Sequence, residues 1–144
     1  MKLAFTRLSP SATVPQRMTE HASGFDLFAD ITEPVNLQAG DIVAVPTGIA
    51  MQIPQGYEGQ VRPRSGLALK HGVSVLNSPG TIDADYRGEI KVILINMGKD
   101  TFSIEAKMRI AQLVICPVAI PELVESDTLD ASERQSGGFG HTGQ

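Results

Sequence analysis

The chain has no tryptophan, two tyrosines and a single cysteine in 144 residues. One cysteine, Cys116, excludes an internal disulfide framework. It lies in the apolar run Leu113-Val-Ile-Cys116, where a small buried filler is expected rather than a nucleophile. His21, His71 and His141 stand far apart without ligand spacing, which argues against a zinc site. Positive charge is scarce too. A net charge of −4 argues against a general nucleic-acid or membrane binder, whose attraction rests on a basic face. A polyphosphate can still bind where a few arginines converge. No apolar run approaches membrane-spanning length, and the opening Met-Lys-Leu-Ala-Phe lacks the long apolar stretch of a signal peptide. A cytoplasmic protein is expected.

Long helices are absent by the same logic, because fourteen glycines and nine prolines interrupt the chain too often. What is there is a series of short strand-like runs. Lys2 to Arg7 alternates polar and apolar and reads as an edge strand, followed by a loop over residues 9 to 24. Phe25-Asp-Leu-Phe28 is a short apolar run in which Asp26 points away from its neighbours. It either caps the loop behind it or aims into a polar cleft. Strands follow over Ile42–Val45, Ile49–Ile53 and Gln60–Arg62, and later over Thr101–Ile104 and Arg109–Val118. The one helix expected is Ser65–Lys70, with Ser65 as its cap and Gly72 as its stop. The fold class is therefore all-β, a sandwich or jelly roll. One domain over residues 1–121 is expected, followed by an acidic and then glycine-dense arm over 122–144. That arm is either a disordered tail or a lid whose backbone N–H groups meet an anion.

The chain is organised around Gly80-Thr-Ile-Asp-Ala-Asp-Tyr-Arg-Gly-Glu89. Two carboxylates, a phenol and a guanidinium fall within five positions there, between the apolar runs Val73–Leu76 and Ile90–Ile95. Those runs read as the arms of a hairpin with charged groups at its tip. By itself the stretch is equally a decorated turn.

Five segments in order resemble the motifs of the trimeric dUTP pyrophosphatases, or dUTPases: Ala22-Ser-Gly-Phe-Asp-Leu27; Pro63-Arg-Ser-Gly-Leu-Ala68; Asn77 to Glu89; Arg109-Ile-Ala-Gln-Leu113; and Arg134-Gln-Ser-Gly-Gly-Phe-Gly-His-Thr-Gly143. Each alone is common, but all five in this order make a specific match. Three departures are visible: Phe25 where tyrosine is frequent, and Lys107 and Gln135 where glycine is usual. Lys107 leads us to expect a different turn, and Gln135 a stiffer lid.

The resemblance implies a β-barrel-like jelly roll assembled as a homotrimer with three active sites at subunit contacts. It implies hydrolysis of dUTP to dUMP and pyrophosphate, lowering dUTP and supplying dUMP for thymidylate synthesis. Asp83 would activate the water that attacks the α-phosphorus. Asp26 would hold Mg²⁺ indirectly, through water. Arg64, Ser65, Gly66 and Gln112 would meet the phosphates, and Arg134, Ser136 and Gly137 would close over them while Phe139 covers the base. Asn77 and the main chain from Gly80, Thr81 and Ile82 to Lys91 would read the uracil edge, and Tyr86 would exclude a ribose 2′-hydroxyl. Arg109 would bind phosphate or pair with a nearby carboxylate. Asp85, Arg87 and Glu89 would make salt bridges at a subunit contact. Two rivals remain: a dCTP deaminase, which shares the architecture, and a trimeric binding module without chemistry.

Overall fold

The computed structural model describes residues 1–137. Eleven strands and one helix follow one another. The largest sheet has the order β2-β11-β6-β8, built from Gly24–Phe28, Arg109–Pro117, Tyr57–Arg62 and Gly80–Ile82. A second sheet, β4-β9-β7, comprises Ile42–Pro46, Lys91–Asn96 and Val73–Val75. Two pairs complete the fold: β1 (Ala4–Arg7) with β5 (Ile49–Gln52), and β3 (Val35–Leu37) with β10 (Phe102–Ile104). Every pairing is antiparallel. Both sheets and both pairs feed one apolar core that includes Leu27, Leu37, Ile49, Val61, Leu94 and Leu113. The architecture is the all-β jelly roll expected from the sequence.

Alternation decides which faces meet. In β9, Val92, Leu94 and Asn96 are buried while Lys91 lies outside, the period of two that a half-buried strand requires. Asn96 is fully buried and is satisfied. Its amide donates to the carbonyls of Leu37 at 2.8 Å and Asp100 at 2.9 Å, and its Oδ1 accepts from the Gly98 N–H. A buried amide without these partners would cost about 1–3 kcal/mol.

The helix α1 spans Ser65–His71 and ends, as expected, at Gly72 in left-handed geometry. Glycine is required there twice over, since a Cβ would also stand 2.6 Å from the backbone nitrogen of Gly98. The N-terminus differs from expectation. Arg64 is the capping residue, extended at φ −94° and ψ 128°, and no side chain caps the helix. Ser65 is already inside the first turn.

The segment between β7 and β9 also departs from a simple hairpin. The two strands do pair, with Val75 opposite Leu94. The chain between them leaves that sheet, however, and forms β8 against β6, with Gly59 opposite Ile82. Asp83 therefore sits at the outer end of β8 instead of at the apex of a tight turn.

Lys107 keeps the turn that its residue type speaks against. Its φ is 62°, and its N–H reaches the carbonyl of Ala29 at 2.9 Å. A left-handed L-residue costs about 1–2 kcal/mol, part of which glycine would return to the unfolded chain as entropy. Lys107→Gly should thus stabilise the protein by about 0.5–1 kcal/mol, read as a higher urea midpoint. A lower midpoint would mean that the lysine side chain itself contributes.

Candidate active site

Two groups of the residues singled out above come together in the fold, and they lie apart from each other. The first surrounds Asp26 on β2. A β-bulge at Ile110 shifts β11 so that Gln112 stands opposite Asp26, and on its other side opposite Arg62. Asp26 turns its carboxylate to Arg64 (Nε to Oδ1, 3.6 Å) and Arg109 (Nη1 to Oδ2, 3.2 Å), with its side chain only 13% exposed. Arg64 also donates to the Arg109 carbonyl at 3.1 Å. Gln112 Nε2 donates to the Pro63 carbonyl at 3.1 Å, tying the strand to the loop that opens α1. The first helix N–H groups, those of Ser65 and Gly66, have no acceptor within the helix. The residues themselves are exposed, and no acidic side chain occupies the first turn. The Asp26 carboxylate thus faces two arginines and, among the described residues, makes no side-chain hydrogen bond to the loop behind it. Arg109 is paired with a carboxylate.

The second group lines a pocket of about 350 Å³ beside β8. Its apolar wall is Ala44, Val61 and Ile93. Asn77, Thr81, Asp83, Tyr86, Glu89 and Lys91 supply the polar groups, with Gly80 and Ile82 between them. A Cβ on Gly80 would lie 3.0 Å from the Asn77 amide nitrogen, so that amide packs over the strand backbone. Asp83 is exposed, and among the described residues its carboxylate has no ion-pair partner. A larger cleft of about 760 Å³ opens on the other side of Asp83, walled by Ile53, Pro54, Tyr57, Val118 and Ile120. Both have the size of a ligand pocket and polar groups on their walls, and the smaller is the one that Asn77 and Tyr86 line.

Two charged neighbours of Asp83 have partners close by. Glu89 accepts from the Gly48 N–H at 2.9 Å and lies 3.7 Å from Lys91 Nζ. Arg87 donates to the carbonyls of Ala84 and Tyr86 at 2.7 and 2.8 Å. Arg87 and Glu89 thus have partners within the chain. Cys116 is half-buried beside Arg62, whose Nη2 approaches its sulfur at 3.4 Å, so it is less enclosed than its apolar run suggests.

The spacing of the two groups follows from register. Asp26, Gln112 and Arg62 form one row, and since Val61 faces Gly80, that row meets β8 at Pro79. Three strand spacings across and four residues along place Asp83 roughly 20 Å from Asp26, measured on the sheet.

Arg134, Ser136 and Gly137 lie in an exposed turn, where Arg134 Nε donates to the Gly137 carbonyl at 2.7 Å. Gln135 there has φ 47°, so it holds the backbone shape that glycine would take freely. Phe139 lies outside the described residues.

A family model described as dUTPase matches residues 10–143. The chain is 59% identical over 140 residues to the deoxyuridine 5'-triphosphate nucleotidohydrolase of Chlamydia caviae, covering 95% of each. It is 56% identical over 133 residues to the protein of that name from Rickettsia felis, covering 92% of this chain and 90% of that one. Among solved structures, it resembles a mutant dUTPase of Staphylococcus bacteriophage 80alpha with dUpNHpp, at a TM-score of 0.90 and 29% identity over 99% of both chains. It also resembles a mutant dUTPase from phage phi11 of S. aureus, described for the coordination of a structural Mg(II) ion. There the TM-score is 0.81 at 27% identity, covering 89% of this chain and 98% of that one. On the extent of the match and the degree of identity, the chain belongs to the dUTPase family.

Proposed function

We propose that the chain hydrolyses dUTP to dUMP and pyrophosphate as a homotrimer whose sites each draw on more than one copy. The observation that carries this reading is the pocket where Asn77, Asp83 and Tyr86 share one rim. In it, Asn77 and the main chain of Gly80, Thr81 and Ile82 through Lys91 pair with the uracil edge. Cytosine would set an amino donor against a donor, which leaves a buried polar group unpaired. Val61 and Ile93 close the apolar side against a 5-methyl group. Tyr86 stands where a ribose 2′-hydroxyl would go.

Asp83 orients the attacking water and takes its proton. General-base catalysis of this kind contributes about 10²–10⁴-fold. Arg64, with the Ser65 and Gly66 N–H groups and Gln112, binds phosphate oxygens. The charge that builds up in the transition state is thereby offset by donors already in position. Asp26 holds Arg64 and Arg109 ready for that task. Arg134, Ser136 and Gly137, followed by Phe139, form the lid, so that residues 1–121 are the catalytic domain and 122–144 the arm. The gap between the Asp26 and Asp83 groups supports a site shared between two chains. Leu123, Val124 and Leu129, 95%, 78% and 91% exposed, give the arm an apolar side that suits a neighbouring copy.

Among the described residues no cluster of three or more acidic, histidine or cysteine side chains could cage a metal. A lone carboxylate whose oxygens each retain a second lone pair fits a Mg²⁺ that arrives on the triphosphate and keeps its waters. When bound, such an ion would neutralise phosphate charge. No helix among the described residues is long and apolar enough to cross a membrane. We place the enzyme in the cytoplasm, where dUMP would feed thymidylate synthesis.

Pyrophosphate release from dUTP, dTTP, dCTP and UTP tests the reading. Only dUTP should be cleaved rapidly, with the rate lost in EDTA and restored by Mg²⁺. Ammonia release from dCTP at a comparable rate would favour the deaminase instead.

A further inference from the structure

We infer that Gly88 is a positioning residue for Tyr86, and that through Tyr86 it governs the choice of deoxyribose over ribose. The inference rests on the sugar-facing role proposed for Tyr86 above. Glycine at this position is not demanded by the backbone. Among the described residues, the glycines with positive φ are Gly40, Gly48, Gly56 and Gly72, and Gly88 is not one of them. An alanine could adopt its conformation. What a side chain would meet there is the ring of Tyr86. A Cβ on Gly88 would stand 2.6 Å from Cζ and 3.0 Å from Cε2 of Tyr86, and its three nearest atoms all belong to that side chain. Gly66, by contrast, would meet nothing. The missing side chain of Gly88 is thus a hollow into which the phenol end of Tyr86 settles.

The far end of the ring is tied down as well. Its hydroxyl donates to the Glu89 carbonyl at 2.9 Å. Glu89 is itself held by the Gly48 N–H. The next residue, Ile90, accepts from the buried Thr47 hydroxyl at 2.6 Å and donates to the Ile49 carbonyl at 2.8 Å. The seat of the ring is therefore fixed to the β4–β5 turn and the core. Tyr86 remains 43% exposed and lines the pocket. A methyl group at position 88 would lift the phenol out of its hollow and break the tie to Glu89. The ring would then leave the place where it opposes a 2′-hydroxyl.

The test is a double-mutant cycle on kcat/KM for dUTP and for UTP, with Gly88→Ala, Tyr86→Ala and the pair together. Gly88→Ala should lower the preference for dUTP over UTP by at least about 10-fold, the range set by one misplaced contact. In the Tyr86→Ala background the same alanine should change the preference less than about 2-fold, because its effect passes through the ring. If Tyr86→Ala collapses the preference but Gly88→Ala leaves it intact, the role of Gly88 is overturned while that of Tyr86 stands. The same holds if Gly88→Ala acts equally in both backgrounds. If Tyr86→Ala keeps the preference, the sugar-facing reading falls and this inference with it. Should Gly88→Ala alone fail to fold, the double variant should fold, since the obstructing ring is gone. Failure of both would show that Gly88 serves the backbone and would overturn the proposal.

Discussion

Replacing Asp83 by asparagine should lower turnover of dUTP by on the order of 10²-fold or more while the nucleotide still binds. The substitution keeps the shape of the side chain and removes only its capacity to accept a proton. Asp83 is exposed at the end of β8, so nothing in the core depends on its charge, and the unfolding midpoint should hardly move. The groups assigned to base and sugar, Asn77 and Tyr86, stand on the same pocket and are untouched. The loss should therefore fall on kcat, with KM changed little. Near-normal turnover in Asp83→Asn would remove Asp83 from the role of base.

Deleting residues 134–144 should leave a folded protein whose activity is reduced by a comparable factor, on the order of 10²-fold, because positioned donors of this kind are each worth about that much. Arg134 is exposed and bonds within its own turn. The last strand among the described residues, β11, ends at Pro117, well before the cut. Thermal unfolding of the truncated chain should match that of the full chain. Full activity without the tail would show that no lid operates.

Much of this molecule was legible in the residues, and the parts that were not share a cause. Short strands announced themselves through alternation and through the glycines and prolines between them, and β2, β4, β5 and β11 fall close to where they were expected. The single helix and its stop at Gly72 were equally plain. Its start was not, because Ser65 is a good capping residue by type. The chain instead uses the extended geometry of Arg64, whose guanidinium is engaged by Asp26. That contact joins residues far apart in sequence, and no local pattern encodes it.

The same is true of β8. Gly80-Thr-Ile82 is too short to signal a strand, and it exists because β6 offers it a partner. The bulge at Ile110, which sets Gln112 against Asp26, left no mark in the sequence either. Lys107 and Gln135 teach the opposite lesson. Both residue types speak against a left-handed turn, yet both positions adopt one. Surrounding hydrogen bonds, such as that from Lys107 N–H to Ala29, hold the turn against the local preference.

Central to the account is that Asp83 works with the Arg64 of a different copy. Coexpressing Asp83→Asn and Arg64→Ala chains in equal amounts, each inactive alone, measures this directly. In randomly mixed trimers, about one quarter of the sites would join an intact Asp83 from one chain to an intact Arg64 from its neighbour. The mixture should recover roughly that share of wild-type activity. A mixture as inactive as its two parents would mean that both residues of each site come from one chain, and the shared site would be refuted.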